Sequence, residues 1–111
     1  MKILSRQEEQ VLLAVYHLED NAYLIPIREQ VKKYTGKYYS VGTIYAPLNR
    51  LSISGYLETF LGEASPERGG KAIKYYRVTD KGFHALAEMK KVRDRMWEGL
   101  ALPDLSEETR K

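Results

Sequence analysis

The spacing of apolar residues changes at Gly55, and that change limits what the chain can build. Before Gly55, apolar residues recur at helical intervals, the pattern of segments that bury one face. After it, "YLETFLG" and "AIKYYRV" are aromatic, β-prone and roughly alternating, with "EASPERGGK" between them. From "VTDKG" onward the helical period returns. The expected order is helix, helix, helix, strand, hairpin, strand, long helix, with no internal repeat. A chain of 111 residues has room for one domain core around these elements.

Each boundary has a local signal. "SRQEEQVLLAVYHLED" opens with Ser5 as N-cap and Glu8 at the capping-box position, followed by the apolar face Val11, Leu12, Val15 and Leu18. "DNAYLIP" breaks the pattern, and Pro26 suits the first turn of a second helix whose buried side is Ile27, Val31 and Tyr34. Gly36 can end that helix, and Ser40 can cap a third that stops before Gly55. Thr79 and Asp80 suit the start of the fourth, which the spacing carries to about Leu100.

The third helix has an unusual outer face. Val41, Ile44, Leu48 and Leu51 make an apolar stripe with Tyr45 at its edge. The reverse side carries Gly42, Thr43, Ala46, Pro47 and Arg50, slender residues with a few donors. A helix that enters a major groove about 12 Å wide needs such a face; small residues also make room for a neighbouring helix. Pro47 has no amide for the carbonyl of Thr43, so either the helix kinks there or residues 40–44 form a separate turn. Either way the Ser40–Ala46 end projects.

Charge favours the groove. Segments 1–36 and 82–111 each balance, five against five and six against six. Segment 37–81 holds seven basic and four acidic residues, which is the whole formal net charge of +3. Within it, "SPERGGKAIKYYR" places Arg68, Lys71 and Lys74 on or near a mobile hairpin tip, and Gly69-Gly70 lets backbone approach a sugar-phosphate chain. Three helices followed by such a hairpin make a winged helix-turn-helix: α+β, mostly helical, with a two-stranded wing and a long C-terminal dimerisation helix.

Other chemistries find little support. Cysteine is absent, which removes disulfides and thiolate chemistry and is compatible with a reducing cytoplasm. "MKIL" gives way at once to "SRQEEQ", without a signal-peptide core, and no stretch approaches the roughly 18 apolar residues of a membrane span. His17 and His84 have no partners at metal-ligand spacing, and Gly69-Gly70 is no strand-to-helix phosphate loop. Tyr38, Tyr39, Tyr75 and Tyr76 suggest a stacking platform for single strands, but half-buried sheet positions account for strand tyrosines more simply. No catalytic set, metal or cofactor is expected.

"VGTIYAPLNRLSISGYL" and "RGGKAIKYYRVTDKG" resemble the PadR-like family of bacterial winged-helix transcriptional regulators. The first is similar to the family's valine-x-x-x-tyrosine, leucine-x-arginine-leucine and glycine-aromatic/aliphatic pattern. The second is similar to its glycine-glycine and tyrosine-tyrosine-arginine-leucine-threonine-x-x-glycine pattern. With the helical flanks the resemblance reaches from about residue 5 to about residue 100. It implies a homodimeric repressor whose C-terminal helix packs against the partner's N-terminal and C-terminal helices. By position it implies DNA contacts at Ser40, Thr43, Tyr45 and Arg50 of the third helix and at Arg68, Gly69, Gly70 and Lys71 of the wing. Ala46 stands between Tyr45 and Pro47 where the family commonly has the proline directly after the tyrosine. The single C-terminal helix is that of the family's short branch.

The last helix fits a dimer on its own terms. Phe83, Leu86, Met89, Val92, Met96, Trp97 and Leu100 are too many apolar residues for one face of a helix on a small domain. The heptad-like line Leu86, Met89, Met96, Leu100, broken by Arg93, suits an interface that also takes in Trp97. Met89, Met96 and Trp97 could instead line a pocket for a flat apolar effector, as the resemblance allows, although packing is the commoner use. The expected layout is a DNA-binding winged helix over residues 1–79, a dimerisation helix over 80–101 and a disordered tail over 102–111. The expected function is sequence-specific binding of an inverted repeat in double-stranded DNA by a cytoplasmic homodimeric repressor, without enzymatic activity. The competing reading is a winged-helix module that docks a protein on its basic wing.

Overall fold

The computed structural model describes residues 3–62 and 71–106. The elements are four helices, α1 (Arg6–Leu18), α2 (Leu24–Thr35), α3 (Val41–Ile53) and α4 (Asp80–Trp97), and a hairpin of β1 (Leu57–Leu61) and β2 (Lys74–Val78) between α3 and α4 in the chain. The strands are antiparallel, with Leu57 opposite Val78 and Leu61 opposite Lys74. Arg68, Gly69 and Gly70, expected at the wing tip, lie outside the described residues.

Side-chain caps set the helix starts. The Ser5 hydroxyl accepts from the Glu8 amide, and Glu8 accepts from the Ser5 amide at 2.8 Å, closing the capping box on α1. Ser40 caps α3 and Thr79 caps α4 in the same way, each satisfying an amide at the start of its helix. Gly36 ends α2 at a φ of 74°, a left-handed turn that glycine adopts without steric cost. α4 stops at Trp97, short of the expected Leu100, and the chain turns through Gly99 at a φ of 76°.

The core gathers Val11, Leu12, Ala14 and Val15 of α1, Ile27 and Val31 of α2, and Ile44, Leu48 and Leu51 of α3. Tyr56, Leu57, Tyr76 and Val78 close it from the hairpin, and Ala85 from α4. Pro47 corrects the sequence reading: it is fully buried, and α3 runs through it as one helix. The ring therefore belongs to the packed face and not to the outer one. Two other expected core residues lie at helix ends and remain exposed. Val41 opens α3, and Tyr34 sits in the last turn of α2, hydrogen-bonded to the imidazole of His17.

The segment read as a plain turn also joins the sheet. Tyr23 bridges to Tyr75, and the Tyr76 amide donates to the Ala22 carbonyl at 2.9 Å. This bridge anchors the hairpin to the α1–α2 connection. The α3–β1 turn is fixed to α4 by Thr79, which donates to the Gly55 carbonyl at 2.6 Å, and by Lys81, which donates to the Ser54 carbonyl at 2.7 Å. Gly82 lies so close beneath the Tyr56 carbonyl that a Cβ there would overlap it.

Candidate nucleic-acid interface

α2 and α3 form the helix-turn-helix, and the packed stripe Ile44, Pro47, Leu48 and Leu51 seats α3 against the core. The first turn of α3 stands clear of that stripe. Ser40 and Gly42 are exposed there, Thr43 is half-buried, and the Ser40 and Thr43 hydroxyls hydrogen-bond each other at 2.8 Å. The cap thus holds both hydroxyls at the projecting end, where the unpaired amides of a helix start favour anions.

Tyr45 is 42% exposed and meets the wing: the Lys74 ammonium lies 5.9 Å from its ring centroid. An open, mostly apolar groove of about 560 Å³ runs beside this pair, bordered by Tyr23, Ile25, Ile73 and Tyr76. Lys71 is exposed at the described edge of the hairpin. The structure therefore brings Ser40 together with Thr43 at the start of α3, and Tyr45 of the next turn together with Lys74 at the base of the wing.

Arg50 sits apart from that group. Two turns further along α3, it reaches Glu8 of α1 at 3.5 Å, while its side chain stays half exposed. Two more cations of the basic segment have structural partners: Arg77 pairs with the directly opposed Glu58 at 3.3 Å, and Lys81 holds the α3–β1 turn. The charge excess counted along the chain is thus only partly available at the surface.

The four tyrosines do not form a stacking platform. Tyr76 is buried, and burial raises its phenol above the ordinary range. Tyr75 stacks on Phe60 at 5.7 Å between centroids, while Tyr38 and Tyr39 lie on the α2–α3 turn and not on a strand. That turn holds a group of side chains the sequence did not single out. The Arg28 guanidinium lies 3.9 Å from the Tyr38 ring centroid and donates to the Tyr39 carbonyl at 2.5 Å, and the Tyr38 hydroxyl donates to Glu29 at 2.6 Å. The signal available in the sequence was the run of tyrosines facing α2 lysines, which has no fixed spacing.

On α4, the residues expected at an interface divide into two groups. Leu86 and Met89 pack against the chain's own core. Met96 is 69% exposed and Trp97 49%, and Leu100 stands exposed beyond the helix end. Arg93, the break in the heptad-like line, donates to Glu9 at 2.7 Å and ties α4 to the start of α1. A cleft of about 510 Å³ between α1 and α4 is lined by Leu13, Tyr16, Phe83 and Leu86, among others. Among the described residues, no helix is long and apolar enough to cross a membrane, and no group of His, Cys, Asp or Glu is placed to hold a metal ion.

Three core helices, a hairpin wing bound to the α1–α2 connection and a projecting first turn on α3 define a winged-helix regulator of the DNA-binding class. The chain belongs to the transcriptional regulator PadR-like family, whose model matches residues 12–88. Among solved structures it is similar to a PadR-like transcription factor from Bacteroides fragilis, with 26% identity and a TM-score of 0.67, covering 84% of this chain and 87% of that one. It is also similar to a PadR-like regulator from Bacillus cereus, with 26% identity and a TM-score of 0.61, covering 83% of this chain and 91% of that one. RosR of H. salinarum shares the fold at 19% identity and a TM-score of 0.68, over 88% of this chain and 81% of that one. No curated protein matches the sequence.

Proposed function

We propose that the chain is a homodimeric, sequence-specific repressor that acts in the cytoplasm on an inverted repeat in double-stranded DNA and carries no enzymatic activity. The observation that carries this reading is the projecting, capped first turn of α3 with Ser40, Thr43 and Tyr45 beside Lys74 of the wing. In this reading α3 enters the major groove, and Ser40, Thr43 and Tyr45 meet bases or phosphates there. Lys71, Lys74 and the tip residues Arg68, Gly69 and Gly70 hold the flanking backbone. Arg50, half exposed, exchanges Glu8 for DNA on binding.

Residues 1–79 serve as the DNA-binding domain, 80–101 as the dimerisation segment and 102–111 as a tail. The dimer is supported by the exposure of Met96, Trp97 and Leu100, which, with the α1–α4 cleft, leave apolar surface for a second chain. Two chains place two α3 helices on half-sites about one helical turn apart. A flat apolar effector would lie at the dimer centre against Met89, Met96 and Trp97.

The test is to incubate purified protein with fragmented genomic DNA of its source organism and to sequence the fragments recovered at moderate salt. Enrichment of a few promoter-proximal inverted repeats is expected. Flat recovery by protein that is folded and dimeric would overturn specific binding by the free protein and leave the wing as a surface for a protein partner.

A further inference from the structure

Six side chains of α2 and of the α2–α3 turn, Arg28, Glu29, Lys32, Lys37, Tyr38 and Tyr39, gather just before the cap of α3, although the first 36 residues are electrically neutral in sequence. In the structure two of the five carboxylates of that segment are taken up by arginines from beyond it. Glu8 and Glu9 are buried, and each has an arginine from another helix: Arg50 for Glu8 and Arg93 for Glu9. Glu29, the acidic member beside the turn, accepts the Tyr38 hydroxyl and keeps its charge, so Arg28, Lys32 and Lys37 leave a local excess of two positive charges.

The cations beside the turn keep their charge at the surface. Lys32 and Lys37 are exposed, each with its ammonium 5.2 Å from a tyrosine ring centroid, Tyr38 for Lys32 and Tyr39 for Lys37. Arg28 stacks on Tyr38 and donates to the carbonyl of Tyr39, the residue that precedes Ser40. A guanidinium both stacked and hydrogen-bonded is held in one geometry, so the backbone leading into α3 is held with it.

We propose that the α2–α3 turn is a second phosphate-binding surface, on which Lys32 and Lys37 contact the DNA backbone beside the groove that α3 enters. Arg28 is the positioning residue: it fixes the turn through Tyr38 and the Tyr39 carbonyl and sets the height of Ser40 against the groove. This rests on the DNA-binding reading and adds contacts that the wing and α3 do not supply.

The experiment measures binding to a short fluorescein-labelled duplex of mixed sequence across a salt series, using the full chain. Each phosphate contact contributes about 0.9 to the slope of log affinity on log salt, so Lys32→Ala/Lys37→Ala should flatten the slope by about 1.8 for each bound chain, about 3.6 for a bound dimer. Arg110→Ala/Lys111→Ala removes the same charge from the C-terminal end of the sequence, outside the DNA-binding and dimerisation segments, and should keep the wild-type slope. Arg28→Lys retains the charge and should leave the slope in place while weakening binding, as a positioning role requires. A Lys32→Ala/Lys37→Ala slope equal to that of the Arg110→Ala/Lys111→Ala control overturns the proposal. Failure of the parent reading looks different. A wild-type chain that binds every duplex alike, while the turn variant still loses slope, removes specificity and supports the phosphate surface. A wild-type chain without salt-dependent duplex binding overturns both.

Discussion

Two charged clusters in this molecule are made of similar residues and do opposite things. At the start of α1, Glu8 and Glu9 point inward and each holds an arginine, Arg50 of α3 and Arg93 of α4. At the α2–α3 turn, Arg28, Lys32 and Lys37 lie over Tyr38 and Tyr39. In the first cluster the carboxylates are buried, so charge is matched and serves to join helices. In the second, Arg28 is half-buried and Glu29 stands among the cations, while Lys32 and Lys37 are held against tyrosine rings and remain exposed beside α3. A basic residue beside a buried carboxylate, such as Arg93, is thus matched within the fold, whereas one held against an aromatic ring, such as Lys32 or Lys37, is not.

The largest effect that separates the clusters is expected from Arg93→Ala. It leaves the buried Glu9 carboxylate without its donor and should cost about 1.5–3 kcal/mol in urea unfolding. Binding to a mixed-sequence duplex by the folded fraction should be unchanged. Arg50→Ala blurs the boundary between the clusters. Glu8 retains the Ser5 amide, so the loss of stability should be smaller, about 0.5–1.5 kcal/mol, and should be read together with operator preference. Preference that survives Arg50→Ala would assign Arg50 wholly to the packing cluster.

Ser40→Ala removes the cap that joins the turn to α3 and should lower stability by about 1 kcal/mol, measured by thermal melting. The smallest effect is one of pH. Burial raises the Tyr76 phenol, so the folded chain releases that proton later than the unfolded chain does. Its contribution is complete below the ordinary phenol pKa of about 10 and declines as pH rises through the folded value. Tyr76→Phe should flatten that decline in denaturant midpoints measured between neutral and strongly alkaline pH.

Local chemistry made much of the fold legible. Ser5 with Glu8, Ser40, Thr79 and Gly36 each act through hydrogen bonds or dihedrals that depend on a few adjacent residues, and the structure places each where its type demands. Pro47 was misplaced because its type was weighed above its position. It lies three residues after Ile44 and four before Leu51, the spacing of the packed stripe, and a proline ring is apolar enough to fill it. The Tyr23–Tyr75 bridge was not legible because a single rung has no period to detect. Val41 and Tyr34 continue the buried spacing, but the helix ends extend past the body they pack on.

Of the candidate site, the pairing of Ser40 with Thr43 follows from the cap that their spacing allows, and that of Tyr45 with Lys74 from the hairpin's place beside α3. The α2–α3 cluster was hidden because it depends on Arg28 reaching Tyr39 across eleven positions, and on Glu8 and Glu9 turning inward. Neither is a matter of spacing.

The measurement that bears most directly on the central claim is equilibrium binding of the full chain to a recovered inverted repeat and to a scrambled duplex of equal length and composition, at physiological salt. The account predicts at least about a thousandfold preference for the repeat, with two chains bound to each duplex. Equal affinity for the two duplexes would contradict it.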